Sequence, residues 1–213
     1  MVSGGRAYFG IFEQSAQCHV SLALQRSARS MPKADILFIQ GAGEGAHAED
    51  ELLKKQIEQA FPAKTVAYPF VAGLEEVDWN KAKPVLSAAL DDLVEGGIVV
   101  THSLGGAALL KLLAEGGTAA RPRAVFLAGT PYKLVDGEFG KDDFALPLDL
   151  ASRLPAVPLT FFHSRDDEFV GFGNMAQYRE KLPGATFREV DGFGHQFSGK
   201  PFDELMRDIR SAM

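Results

Sequence analysis

Ile98-Val99-Val100-Thr101-His102-Ser103-Leu104-Gly105-Gly106 is the stretch that decides how the chain reads. Ile98 to Thr101 is a short, continuous run of apolar and β-branched residues. That pattern marks a strand covered on both faces, as in a parallel sheet flanked by helices. Leu104 to Ala114 is predicted to be a helix. Ser103 therefore falls on the turn between the two, with small residues after it that let the helix pack close to the strand. A serine on such a turn presents its hydroxyl above the sheet, beside the amides of a helix N-terminus. The alternative is an ordinary strand–helix turn in which Ser103 only caps the helix.

Working outward, strand and helix alternate from Asp35 onward. Strands are expected at Ile36–Ile39, Thr65–Phe70, Ile98–Thr101, Ala124–Ala128, Leu159–His163 and Thr186–Val190. Helices are expected at about His47–Phe61, Trp79–Val94, Leu104–Ala114, Met175–Lys181 and Phe202–Met213. In the second of these, Val85, Leu86, Ala89, Leu90 and Leu93 recur on one face. Repeated strand–helix units imply right-handed crossovers, an α/β three-layer sandwich and a mainly parallel sheet of about six strands. The longest irregular connection, about Pro131 to Pro155, has room for a short helix at Leu146–Leu154 but not for a cap domain. In sheets of this kind ligands bind beyond the carboxyl ends of the strands, so functional residues should follow strands.

Composition sets outer limits. A chain of 213 residues is expected to hold one main domain, here residues 31–213. A net charge of -6 without a basic stripe excludes nucleic acid as an expected partner, since phosphate contacts need clustered Lys and Arg. The apolar runs are too short for a membrane span, which needs about 20 residues. The single cysteine, Cys18, reads as a small hydrophobe and is compatible with a reducing cytoplasm. Residues 1–30 carry Arg6, Arg26 and Arg29 against one acid, Glu13. They read as an N-terminal extension: an extra antiparallel hairpin, a disordered leader, or the result of an upstream start codon ahead of Met31-Pro32-Lys33.

A serine hydroxyl needs a base to become a nucleophile at neutral pH. His195, in Asp191-Gly192-Phe193-Gly194-His195 after the sixth strand, is the candidate. It completes the chain order serine, acid, histidine. Of the other histidines, His102 adjoins Ser103 and should point away from it. His163 ends a strand and reads as structural. His47 opens a helix and reads as solvated or as part of the site mouth. The base in turn needs a carboxylate to fix its tautomer. Asp166, Asp167 and Glu168 all follow the fifth strand, and spacing does not separate them. Two amides are needed for an oxyanion. Leu104 supplies one by position, and Ala42, in Gly41-Ala42-Gly43 after the first strand, is expected to supply the other. The same Gly-rich turn lacks the Lys-Ser/Thr ending of a phosphate loop and is a poor dinucleotide fingerprint.

With these motifs in place, the chain from about Asp35 to Met213 resembles the α/β-hydrolase superfamily, and most of all its small single-domain bacterial members without a large lid. Ile39-Gln40-Gly41-Ala42-Gly43 is similar to the family's oxyanion strand-turn, with Gln40 where many members have histidine. Thr101 to Gly106 resembles the nucleophile elbow, with Thr101 in place of the usual first glycine. His163-Ser164-Arg165-Asp166-Asp167-Glu168-Phe169-Val170 resembles the acid loop, with Ser164 replacing a glycine, and this register puts Asp167 at the acid position. Gly194-His195 matches the base. The resemblance implies an ester-type serine hydrolase that works through an acyl-serine intermediate. It implies a small-molecule acyl substrate and needs no metal or organic cofactor. Thr130, Tyr132 and the Pro131–Pro155 segment are expected to shape a shallow acyl pocket. The competing reading is a non-catalytic binding module on the same fold. Within enzymes, thioesterase, lactonase, amidase and acyl transferase stay open.

Overall fold

The computed structural model of the chain describes residues 33–132 and 142–213. The expected N-terminal extension, residues 1–30, lies outside the described residues. Six strands form one sheet: β1 (Ala34–Ile39), β2 (Val66–Ala67), β3 (Leu93–His102), β4 (Ala124–Ala128), β5 (Leu159–Ser164) and β6 (Thr186–Val190). Their spatial order is β2-β1-β3-β4-β5-β6 and every neighbouring pair is parallel. The helices are α1 (Ala46–Ala60), α2 (Ala72–Glu75), α3 (Trp79–Asp91), α4 (Leu104–Ala114), α5 (Leu150–Arg153), α6 (Gly173–Lys181) and α7 (Asp203–Ala212).

The continuous apolar strands are explained by helices on both faces. Leu37, Ile39, Val99, Val125 and Leu127 point to one side, where Leu86 and Leu90 of α3 and Leu109 and Leu112 of α4 cover them. Ile36, Phe38, Ile98, Val100 and Phe126 point to the other, against Leu53 and Ile57 of α1 and Leu205 and Ile209 of α7. Neighbouring strand residues thus enter opposite cores. Each fully buried aliphatic side chain contributes roughly 1.5–3 kcal/mol to holding the layers together. Among the described residues no helix is long and apolar enough to cross a membrane.

Several boundaries differ from the sequence reading. The second strand is expected over Thr65–Phe70, yet only Val66–Ala67 pairs. It is an edge strand, Pro69 has no N–H to donate, and Tyr68 instead stacks on Phe38 and His47. The third strand begins earlier, because Leu93 pairs with Ala34 across a register irregularity that precedes the Ile36–Ile98 pair. Correspondingly α3 ends at Asp91. The four-residue α2 has no counterpart in the sequence reading. The short helix anticipated at Leu146–Leu154 is confined to α5, Leu150–Arg153.

The chain leaves β1 outward to β2 and returns to place β3 on the other side of β1. This reversal opens a crevice above the β1 and β3 carboxyl ends, the place where such sheets bind ligands. The helix that starts there lies unusually close to its neighbour. A Cβ built on Gly105 would stand 2.2 Å from the Gln40 carbonyl oxygen, and one on Gly106 would stand 2.2 Å from Thr130 Oγ1. We therefore expect Gly105→Ala to push α4 off β1 and to lower unfolding free energy by about 1–3 kcal/mol, measurable by urea denaturation. A stability equal to that of the parent chain would show that the helix can move freely.

Candidate active site

Ser103 sits between β3 and α4 with φ 49° and ψ -130°, a left-handed φ that is rare for a residue bearing a side chain. Its amide donates to the Ala128 carbonyl at 2.8 Å, which pins the turn to β4. The hydroxyl makes no capping bond to the helix. It lies instead 3.0 Å from His195 Nε2. The helix-capping alternative therefore does not describe this serine.

Thr101, where a glycine is usual, is fully buried, and a Cβ on Gly106 would come within 3.0 Å of its Oγ1. The missing side chain at Gly106 is what leaves room for the threonine. Thr130 fills the same space from β4's end and is buried, so it supports the start of α4 rather than lining an open wall. Tyr132 packs edge-on against Tyr178, and its amide donates to Asn174 Oδ1 at 2.9 Å.

The other face of the His195 ring system meets Asp167. His195 Nδ1 lies 3.1 Å from Asp167 Oδ1 and 3.0 Å from Oδ2. A carboxylate only accepts, so Nδ1 carries the proton and Nε2 is free to accept from the Ser103 hydroxyl. The Asp167 side chain is fully buried. Burial pushes its carboxyl up, but hydrogen bonds from His163, His195 and the Val170 amide outweigh that and hold it well below the usual range. The Phe169 and Val170 amides donate to Oδ1 at 3.0 and 2.7 Å. His163 is a support in this sense: its Nε2 donates to the Val170 carbonyl at 2.7 Å and lies 3.4 Å from Asp167 Oδ2.

The two neighbouring acids face the same loop in different ways. Asp166 Oδ1 accepts from the Gly192 and Gly194 amides at 3.0 and 3.3 Å and from the Ser164 hydroxyl. Ser164 Oγ in turn accepts from the Phe193 amide at 3.2 Å, so the serine that replaces a glycine gains a role in tying the two loops. Glu168 Oε2 accepts from the His195 amide at 3.2 Å. Of the three acids, Asp167 meets the imidazole, while the other two grip the backbone that carries it. The loop can present its amides because Gly192 and Gly194 adopt φ 72° and 56°, which glycine reaches without steric cost.

The Gly41–Gly43 turn completes the arrangement from β1. A Cβ on Gly41 would stand 3.1 Å from Ser103 Cβ, so the turn runs alongside the serine. Neither the Ala42 nor the Leu104 amide is bonded to an acceptor among the described residues. Groups that follow β1, β3, β5 and β6 thus come together at one end of the sheet. Two further residues escaped the sequence reading. Gly129, φ 57°, follows β4, and a Cβ there would crowd Phe197, Asp167 and His195. Asp50 of α1 is buried and accepts from the Gly41 amide at 2.7 Å. His102 is buried beside Asp50 and does point away from Ser103, but it is bonded to the His195 carbonyl. The available signal was the position of Asp50, in register with the apolar Ala46, Leu53 and Ile57 on the buried face of α1.

No family model and no curated protein matches the chain. Solved structures do. The product of the ydeN gene from B. subtilis superposes with a TM-score of 0.66 at 18% identity, covering 83% of this chain and 98% of that one. An esterase domain from a Rhodothermus marinus protein gives a TM-score of 0.54 at 20% identity, covering 87% of each chain. Arabidopsis thaliana SOBER1 gives 0.59 at 17% identity, covering 83% of this chain and 97% of that one. With its wholly parallel, helix-flanked sheet, the chain has the α/β-hydrolase fold. Similarity at this level of identity speaks for the fold.

The depressed Asp167 carboxyl makes a prediction about acid stability. A depressed folded-state pKa stabilises above the unfolded carboxyl's pKa of about 3.9, and the contribution is lost as pH falls from there toward the native value. Asp167→Asn should therefore lose melting temperature at pH 7 and show a shallower further loss than the parent chain between about pH 5 and pH 2. Parallel acid limbs in thermal scans would contradict a depressed Asp167.

Proposed function

We propose that the chain is a serine hydrolase that cleaves small or short-chain ester-type substrates through an acyl-serine intermediate. The observation that carries this reading is the continuous contact from Ser103 Oγ through both nitrogens of His195 to the buried Asp167 carboxylate.

In this mechanism Ser103 Oγ attacks the acyl carbon while its proton passes to His195 Nε2. Asp167 keeps the Nδ1 proton in place and stabilises the imidazolium as it forms. The carbonyl oxygen becomes an oxyanion, held by the Ala42 and Leu104 amides. Removing one donor of this kind costs about 3 kcal/mol of transition-state stabilisation. Collapse expels the alcohol, which takes the proton from His195 Nε2. Water then attacks the acyl-enzyme and gives its proton to Nε2. As the carboxylic acid leaves, Ser103 recovers its hydrogen from the imidazolium. The positive φ of Ser103 supports the same reading, since conformations of this type cost about 1–3 kcal/mol and cluster where function requires them. Short-chain selectivity is supported by the described part of the β4–β5 connection. It holds only a 3-10 turn at Asp142–Phe144 and the four-residue α5. Hydrolases and an esterase domain among the similar folds are in keeping with the proposal.

Ser103 should be labelled by a fluorophosphonate probe, with labelling abolished in Ser103→Ala and reduced at least a hundredfold in His195→Ala. An activated acetate ester should be hydrolysed faster than its long-chain counterparts. Absence of both labelling and hydrolysis would overturn the proposal in favour of a binding module. Hydrolysis of long-chain esters alone would overturn only the short-chain assignment.

A further inference from the structure

Beneath the Ser103–His195–Asp167 chain lies a second aspartate–histidine pair that the proposed mechanism does not use. Asp50, on the buried face of α1, is 1% exposed, and His102, the last residue of β3, is 2% exposed. His102 Nδ1 lies 2.7 Å from Asp50 Oδ1 as a close ion-pair contact, with its N–H off the direct line to that oxygen. His102 Nε2 lies 2.8 Å from the His195 backbone carbonyl. The second Asp50 oxygen accepts from the Gly41 amide at 2.7 Å.

The protonation state follows from donor and acceptor chemistry. A carbonyl oxygen only accepts, so Nε2 must carry a hydrogen. At 2.7 Å, a bare Nδ1 lone pair facing a carboxylate oxygen would be repulsive, so Nδ1 carries a hydrogen as well. The arrangement therefore holds an imidazolium against a carboxylate. Charged groups this deeply buried are tolerated when they are paired and hydrogen-bonded. The groups that face His102 are Asp50 from α1, the Gly41 turn after β1, Asp167 after β5, and His195 and Phe197 after β6. Burial pulls the ring's proton affinity down, but the charge and hydrogen bond of Asp50, the His195 carbonyl and the Asp167 charge outweigh it and raise the His102 pKa above its ordinary value.

We propose that Asp50 and His102 are positioning residues: a buried ion pair that ties the Gly41–Gly43 turn to the His195 loop and so sets both against Ser103. The proposal rests on the serine hydrolase reading for its catalytic consequence, but not for the state of the pair itself. One end of the pair holds the amide next to Ala42. The other end holds the carbonyl of the residue that must reach Ser103 Oγ. The first link passes through Asp50 and the second through His102, whose own backbone is bonded to the nucleophile. The elbow, the oxyanion turn and the base loop are thereby fixed relative to one another by one proton-dependent contact. Hydrogen bonds in such a dry site act strongly because little water competes. Loss of the proton would leave Asp50 buried and uncompensated and would remove the restraint between the two loops.

The sign of the pH effect follows. Donor and acceptor geometry holds the pair charged, and with the His102 pKa raised the pair is lost as pH rises through that value. Nitrogen-15 NMR of the whole chain, with His102 assigned through His102→Gln, should show an imidazolium with both ring N–H groups at pH 7.5. In Asp50→Asn the ring should be neutral at pH 7.5. Fluorophosphonate labelling of Ser103 in that variant should fall on the order of 10- to 100-fold, as expected for a misplaced reacting group. Its dependence on pH above 7 should also change, which a general loss of stability would not produce. A neutral His102 at pH 7.5 in the parent chain would overturn the proposal whatever the activity. A charged His102 with unaltered Ser103 labelling in Asp50→Asn would overturn the positioning role. Failure of Ser103 to label in the parent chain, with His102 charged, would instead overturn the hydrolase reading and with it that role.

Discussion

The close approach of α4 to the carboxyl end of β1 is the constraint on which the site depends. Gly105 and Gly106 lack the atoms that would hold the helix away from Gln40 and Thr130. The helix can therefore start immediately after β3, and the turn between them must be sharp. Ser103 takes the positive φ that this turn requires, and its amide anchors to β4. The serine is thus presented by packing on both sides of it, and its hydroxyl is left pointing into the crevice formed where the strand order reverses.

The His195 loop is held by a different device. The Asp191–His195 loop packs Phe193 against Phe197 and Phe202, and it is fastened further through its amides. Asp166 and Glu168 accept from its backbone, Asp167 meets the ring of His195, and His102 donates to the His195 carbonyl from below. Such bonds to ionised groups are roughly twice as strong as neutral ones. A run of consecutive acids, which would repel one another on an open surface, becomes compatible with folding because each one meets a separate donor set. Orientation of the imidazole is then a property of the loop pair rather than of any single contact.

The same network accounts for residues that look like departures from the familiar motif. Ser164 uses its hydroxyl to join Asp166 to the Phe193 amide. Thr101 occupies space that Gly106 leaves open. Gln40 is fully buried, and its Oε1 accepts from the Val71 amide at 3.1 Å, so the side chain fastens the segment before α2 to the start of the Gly41–Gly43 turn.

Much of this was legible along the chain. The uninterrupted apolar strands required a two-sided sheet, the small residues after Ser103 required a close helix, and the glycines before His195 marked a loop whose backbone is approached by other groups. Local sequence could determine these because they depend on period, side-chain volume and allowed φ, all of which are properties of neighbouring residues. Separation of Asp167 from Asp166 and Glu168 was not available by spacing, since the three differ only in which way each carboxylate leaves the loop. The place of Asp50 was not available either. It lies 53 residues before Ser103 in sequence and reaches the site only because α1 packs across β1 and β3. Tertiary structure alone decided those points, because a buried carboxylate is defined by the donors that surround it, and here they come from β1, β3 and the loop after β6.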